Sequence, residues 1–267
     1  MPTRRGFLGS ALAAAAAGAA ESPGDLKLGV ASYSLRKFPR RQAIEMIQQT
    51  GTRYVSVKEF HLLYKSTPPE LEAGRREFHD AGLVILSGGN ISLQNPSELR
   101  GMFEYAKGAG MPLIVCAPTP ATLPAVEKLV KEYNIRAAIH NHGPEDRHFP
   151  TPQSVLKAID GMDPRVGLCI DIGHTARTGV DVVESIRLAG ARLLDMHVKD
   201  LRELRNGAAQ CAVGEGAMPM AAIFRELKRM NYQGGVMLEY EINADNPLAG
   251  MIKSMAFMSG VLAGLRG

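Results

Sequence analysis

The chain has 267 residues, 45% of them apolar and 22% charged, and it has no tryptophan. That balance can bury enough surface to offset chain entropy, which excludes a disordered chain. No run of about 20 apolar residues outside the N-terminus is available to span a bilayer. The formal charge of +4 falls to +2 when Arg4 and Arg5 are set aside, because residues 1–20 carry no acid. Nucleic acid is therefore not an expected partner.

At the N-terminus, Thr3-Arg4-Arg5-Gly6-Phe7-Leu8 precedes a weakly hydrophobic, Ala-rich run from Gly9 to Ala20. A charged head, a short apolar stretch and small residues before Glu21 fit a secretory signal. The paired arginines followed by Phe-Leu resemble a twin-arginine export signal, and Ala17-Gly18-Ala19 offers a small-x-small cleavage site. Residues 1–20 are thus expected to be an address, and the protein to be periplasmic with no stable membrane association after export. An Ala-rich helix of the mature fold is the alternative. Cys116, Cys169 and Cys211 show no CxxC spacing, so a disulfide framework is not expected and Cys169 reads as a small core residue.

From about residue 26 the sequence alternates β-like runs with helical stretches. Strands are expected at 26–33, 53–60, 83–88, 112–117, 135–141, 166–172, 192–199 and 234–241, each rich in Val, Ile and Leu or apolar up to a polar end. Between them, Ala43-Ile44-Met46-Ile47 and Val126-Leu129-Val130 follow the spacing of a buried helix face. Helix starts are marked by Thr67-Pro68-Pro69-Glu70, Asn95-Pro96-Ser97-Glu98 and Thr151-Pro152, and stops by Gly51, Gly82, Gly110 and Gly190. Eight strands at about 30 residues per βα unit imply a parallel sheet closed into a single (β/α)8 TIM barrel over residues 25–267. A doubly wound open sheet is the alternative, but no G-x-G-x-x-G turn follows the first strand.

In such a barrel the chemistry sits at the C-terminal strand ends. Strand two ends Lys58-Glu59-Phe60-His61, and strand three runs into Ser87-Gly88-Gly89-Asn90. Strand five ends His140-Asn141-His142, and strand six ends Asp171-Ile172-Gly173-His174. Strand seven gives Asp195-Met196-His197-Val198-Lys199-Asp200 and strand eight Glu239-Tyr240-Glu241. Alternation puts His140 with His142, Asp195 with His197 and Lys199, and Glu239 with Glu241 on common faces, while Ile170, Val198 and Leu238 face the helices. Imidazoles and carboxylates converging from several strands suit a borderline divalent ion. Taken singly, His61 and His148 read as solvated loop histidines.

These residues resemble a known family. Asp171-Ile-Gly-His174, His197-Val-Lys-Asp200, Gly214-Glu-Gly216 and Glu239 are similar to the xylose-isomerase-like barrels, a group that includes sugar-phosphate isomerases and epimerases, inosose dehydratases, hydroxypyruvate isomerases and endonuclease IV. The resemblance covers the chain after the signal and implies one divalent metal (Mn, Co, Ni or Zn, with Mn favoured) held by Asp171, His197, Glu239 and a strand-five ligand. That ligand is His140, where the family's epimerases usually have Glu, so the paired carboxylates of simple 3-epimerisation are incomplete. Dehydratase-like members, with a His-x-His strand end, are closer. The resemblance also implies that His174 contacts substrate hydroxyls and that Lys199 lies beside the metal.

The expected activity is that of a metal-dependent isomerase or epimerase removing a proton next to the carbonyl of a non-phosphorylated sugar or cyclitol. Glu239 or His142 would take the proton, and His174 and Lys199 would bind substrate and protonate or orient the departing oxygen. Glu59 would support the ligands, bind substrate or act as an additional acid or base. The alternatives are a dehydratase or lyase cleaving 3-keto-glycosides or inososes by β-elimination, and a non-catalytic sugar-binding barrel. A nuclease of the endonuclease IV type is disfavoured by export and a thin ligand set. Tyr33, Phe60, Tyr64, Phe149 and Tyr240 offer faces for a sugar ring or, equally, core packing. The segment from Leu201 to Pro219 is either a mobile loop over the site or an ordered rim connection. Helix 248–264 packs outside the barrel and leaves a homodimer open.

Overall fold

A computed structural model describes residues 26–266, and the expected export segment at 1–20 lies outside the described residues. Eight strands form: β1 (Lys27–Ala31), β2 (Tyr54–Val57), β3 (Val84–Leu93), β4 (Leu113–Pro118), β5 (Arg136–His140), β6 (Val166–Asp171), β7 (Leu193–Val198) and β8 (Gly235–Leu238). Each pairs in parallel with its neighbours in sequence, and β8 closes on β1 from Lys27 opposite Gly235 to Val30 opposite Leu238. Helices α1 (Arg40–Gln49), α2 (Pro68–Asp80), α3 (Leu99–Gly108), α4 (Leu123–Tyr133), α5 (Pro152–Ala158), α6 (Ile172–Arg177), α7 (Val182–Ala189), α8 (Met220–Arg229) and α9 (Leu248–Gly264) lie between and after the strands. The architecture is the single (β/α)8 barrel expected from the alternation. No helix among the described residues is long and apolar enough to cross a membrane.

Local chemistry accounts for the helix ends. Thr67 and Glu70 form a capping box ahead of the prolines of α2, and Thr151 caps α5 in the same way. Gly51, Gly82, Gly110 and Gly190 take positive φ where the helices stop, and Asn134 does so after α4.

Strand alternation divides the core in two. Ile170, Val198 and Leu238 belong to the large layer between sheet and helices, whereas Leu113, Val115, Ala138, Cys169 and Leu194 fill the barrel interior, with Met237 beside Ala31 and Tyr54. Two residues beyond Ala138, Cys169 and Met237 come His140, Asp171 and Glu239. The interior parity therefore lifts these polar groups to the top of the barrel.

Two expectations change and two open alternatives are decided. β3 runs on to Leu93 through Ser87-Gly88-Gly89-Asn90 rather than ending at Gly88. A Cβ on Gly88 would fall 2.2 Å from Met111 Sδ and one on Gly89 2.0 Å from the Val115 carbonyl oxygen, so the glycine pair lets β3 press against β4 and resume pairing at Ile91 opposite Cys116. His61 is not solvated: it is buried, with Nδ1 2.9 Å from Ser32 Oγ and Nε2 3.1 Å from the Phe38 carbonyl. Phe149 and Tyr240 are buried core residues, which removes them as sugar faces, while Phe60 stays exposed.

The second alternative concerns the long connection after β7, which is tied down. Asp200 Oδ1 accepts from the amides of Leu201 (2.9 Å) and Met218 (3.0 Å), and Oδ2 from those of Gly214 (2.9 Å) and Gly216 (3.1 Å). A Cβ at position 216 would lie 2.2 Å from Asp200 Oδ1, so the Gly214-Glu-Gly216 motif exists to wrap backbone amides around a buried carboxylate. Asp200–Leu201 and Gln210–Cys211 form a small antiparallel ribbon, and Glu215 bridges Arg202 and Lys253 of α9. On α9, Met251, Met255 and Met258 are buried while Ile252 and Phe257 are exposed. Replacing Asp200 with Ala should cost about 3 kcal/mol, the worth of one or two charge-assisted hydrogen bonds. Hydrogen exchange should then show the Gly214, Gly216 and Met218 amides losing protection before the barrel strands do.

Candidate metal centre at the barrel mouth

One polar side chain from each of four successive strand ends reaches the same point. His140 ends β5, Asp171 ends β6 and stands opposite His197 of β7, and Glu239 follows β8 with its N–H donating to the Val198 carbonyl at 2.9 Å. Ligand-type atoms of the four lie within 4.8 Å of one another. His140 Nε2 is 3.0 Å from His197 Nδ1 and 3.5 Å from Asp171 Oδ2, and His197 Nδ1 is 3.2 Å from Glu239 Oε2. Asp171 is held by its own chain: Oδ1 caps α6 by accepting from the His174 amide at 2.8 Å, and the Asp171 N–H donates to Asn141 Oδ1 at 3.1 Å. That leaves Oδ2 for the centre.

The donor set fits a divalent cation. Burial pushes the His140 imidazole down to about 3, so it is neutral and has a lone pair to give. Burial works to raise the Asp171 and Glu239 carboxyls, but the Lys199 ammonium overrides it and holds both well below the usual carboxylate range. Two imidazoles and two carboxylates suit Mn, Co, Ni or Zn. Cys169 Sγ lies within 4.8 Å of ring nitrogens of His140 and His197, yet burial pushes its thiol up to about 12, which keeps it protonated.

Lys199, buried on the same face of β7 as His197, places Nζ 2.9 Å from Asp171 Oδ2, 2.9 Å from Glu239 Oε2 and 2.7 Å from Glu241 Oε2. The Asp171 contact is an ion pair without hydrogen-bond geometry, so that buried oxygen has capacity to spare. Glu241 is positioned by the ribbon: its N–H donates to Gln210 Oε1 at 3.0 Å and Gln210 Nε2 donates to its Oε2 at 3.3 Å.

His142 and His174 flank the centre. His142 Nδ1 is 3.4 Å from His140 Nδ1, and the His142 and His174 rings are 5.4 Å apart. Glu59 is not brought into this group. It pairs with Lys58 at 2.8 Å, Lys58 Nζ donates to the Asn90 carbonyl at 2.7 Å, and the Asn90 amide meets His142 Nε2 at 3.1 Å. Glu59 thus reaches the centre only through this chain. Sequence reasoning did not single out Arg177 or give Asn90 a role, and it noted Glu241 without one. Glu241 shares strand parity with Glu239, and Arg177 lies one helical turn beyond His174, so both carried a signal. Asn90 became visible only because β3 continues.

Comparisons with known proteins agree with this fold. The sequence profile of the xylose isomerase-like TIM barrel matches residues 121–260. Inosose dehydratase of Clostridium tetani is 27% identical over 150 residues, 49% of each chain; the chain spans about half the length of the curated relatives it matches. The crystal structure of an IOLI protein with a binding zinc atom is 16% identical with a TM-score of 0.75, covering 90% of this chain and 99% of that one. That of 3-keto-D-glucoside 4-epimerase, YcjR, from E. coli is 15% identical with a TM-score of 0.74, covering 88% and 100%. The two structures share the fold. With a profile matching more than half of its length, the chain belongs to the xylose isomerase-like TIM barrel family.

Proposed function

We propose that this barrel is a divalent-metal-dependent enzyme that removes a proton beside the carbonyl of an uncharged sugar or cyclitol and completes the reaction by expelling a neighbouring hydroxyl. The observation that carries the proposal is the lodging of the Lys199 ammonium between Asp171, Glu239 and Glu241 at the edge of a four-donor cluster. Ligands, a proton acceptor and a proton donor stand in one place. The curated relatives named inosose dehydratase support a dehydration. His140, standing where a second carboxylate would serve epimerisation, supports it too.

His140, Asp171, His197 and Glu239 would hold the ion, which when bound supplies electrostatic stabilisation to the oxygens that gain negative charge as the proton leaves. Glu239 is a carboxylate at neutral pH. Its Oε2 faces His197 Nδ1 and Lys199 Nζ, and the carboxylate is the group to accept the proton. Lys199 enters the cycle charged: burial pulls its ammonium down, but Asp171, Glu239 and Glu241 hold it well above the usual lysine value. When Glu239 becomes neutral, Lys199 loses one of these counter-charges and releases its proton more readily. That proton goes to the departing hydroxyl, which leaves as water. The direct contact of 2.9 Å between Lys199 Nζ and Glu239 Oε2 then passes the proton from Glu239 back to Lys199, and both groups return to their starting state.

Return of the proton from Glu239 to a neighbouring carbon gives isomerisation or epimerisation instead. This is the second reading, favoured by the fold shared with 3-keto-D-glucoside 4-epimerase. Phosphorylated substrates fit poorly, because three carboxylates meet one ammonium and one divalent ion, leaving no surplus positive charge. We also infer export by the twin-arginine route from Arg4-Arg5 and the following Ala-rich run. Folding before export lets a cytoplasmic site take manganese ahead of the zinc and copper that win on intrinsic affinity.

Plasma mass spectrometry of the purified protein should find about one divalent ion per chain; none after reconstitution would overturn the proposal. In heavy water, keto-sugars and inososes should exchange a proton beside the carbonyl, and Glu239→Gln should slow that exchange by about 10²-fold or more. In metal-free protein, Lys199→Met removes the ammonium that pairs with both buried carboxylates and should lower stability to urea at pH 7 by about 3–5 kcal/mol. The folded-state values of Asp171 and Glu239 lie below their ordinary ones. Their stabilisation is therefore present above about pH 4 and is lost as pH falls further through the folded values. Because that of Lys199 is lost only in strong alkali, the gap between wild type and Lys199→Met should narrow towards acid.

A further inference from the structure

His174 is held by a partner that the metal cluster does not use. Arg177, one turn further along α6, places Nη1 3.2 Å from His174 Nδ1. Its Nη2 is ion-paired to Glu145, and its side chain is 17% exposed. Two glycines close the space around the pair. A Cβ on Gly207 would lie 2.8 Å from Arg177 Nε, and one on Gly143 3.3 Å from His174 Nδ1. The guanidinium has little room to turn away, and its Nε is buried without a hydrogen-bond partner.

A guanidinium has only donors and stays charged at any pH a protein survives. His174 Nδ1 must therefore accept. A neutral imidazole has one N–H, so that hydrogen sits on Nε2. Nε2 meets no hydrogen-bond partner among the described residues and is free for a ligand.

We infer that Arg177 is a positioning residue that holds the His174 ring with Nδ1 as acceptor, so that Nε2–H is presented to a substrate oxygen. The inference rests on the reading of this mouth as a sugar or cyclitol site and divides the work within it. Held in this form, His174 has no lone pair on Nε2 with which to act as a base. Giving up its only N–H proton would leave an imidazolate, so it is not the acid either. It polarises a carbonyl or hydroxyl by hydrogen bonding. The transferable proton for the departing oxygen is left to Lys199, and the acceptor role to Glu239.

The test needs neither metal nor substrate. In full-length protein carrying ¹⁵N-labelled histidine, two-bond ¹H–¹⁵N correlation at pH 7.5 distinguishes the tautomers, and the His174 signals are assigned by their loss in His174→Gln. The expected result is a single Nε2–H form in wild type, kept in Arg177→Lys, which retains an obligate donor. In Arg177→Met that pattern should give way to exchanging forms. An Nδ1–H form or a mixture in wild type would overturn the inference, as would an Nε2–H pattern unchanged in Arg177→Met. Should Arg177→Met fail to fold, wild type alone decides. Absence of bound metal or of proton exchange would sink the sugar-site reading and leave this tautomer result standing.

Discussion

One ammonium group among three carboxylates is the constraint on which the barrel mouth depends. Asp171 and Glu239 are buried beside each other, and two ionised carboxylates cannot share a dry site without a cation. Lys199 supplies it because β7 lies between β6 and β8 and because positions 197 and 199 share a face. One strand thus delivers both an imidazole ligand and a counter-charge, with a carboxylate arriving from either side. Glu241 adds something different. It binds Lys199 and, among the four cluster residues, touches none. The ammonium therefore keeps an anchor of its own when another cation draws on Asp171 Oδ2 and Glu239 Oε2.

That anchor ties the site to the rim. Glu241 is held on both backbone and side chain by Gln210, which belongs to the ribbon that begins at Asp200. Asp200 in turn gathers four backbone amides. The connection after β7 acts as a brace for the third carboxylate around Lys199, and its glycines serve close packing rather than motion. Gly207 of the same segment presses on Arg177, so one stretch of chain sets the surroundings of both proton-bearing groups at the mouth.

The barrel was legible in the sequence for a physical reason. Strands covered on both sides read as apolar runs, so polar residues stand out where a strand ends. Parity put the polar residues of strands five to eight on the faces that meet at the mouth, and the family resemblance selected positions 140, 171, 197 and 239 among them. What parity does not report is which side chains from unrelated segments fill the space beside them. His61 looks like any loop histidine until Ser32 and Phe38 close over it, and Phe149 and Tyr240 look like rim aromatics until they prove buried. Gly214 and Gly216 suggest flexibility in a sequence because the carboxylate that binds their amides lies fourteen and sixteen residues away. Arg177 was one helical turn from a singled-out histidine, but its meaning depends on Glu145 and Gly207 arriving from two other loops.

His140 gives the charge balance its sense. Were a divalent ion bound, it would together with Lys199 balance the three carboxylates Asp171, Glu239 and Glu241. A carboxylate at position 140 would leave an excess negative charge, which would weaken the ion as an electrophile and hold the Lys199 proton more tightly still. A neutral imidazole there would keep a bound ion strong and the proton transferable. The Arg177 contact bears on His174 in the same way: with Nδ1 accepting from the guanidinium, the ring's offering to a ligand is an N–H. A mouth that is neutral in sum, but dense with oriented donors and one strong acceptor, discriminates by hydrogen bonding rather than by charge. An uncharged polyol bearing a carbonyl, the ligand proposed above, would suit that arrangement.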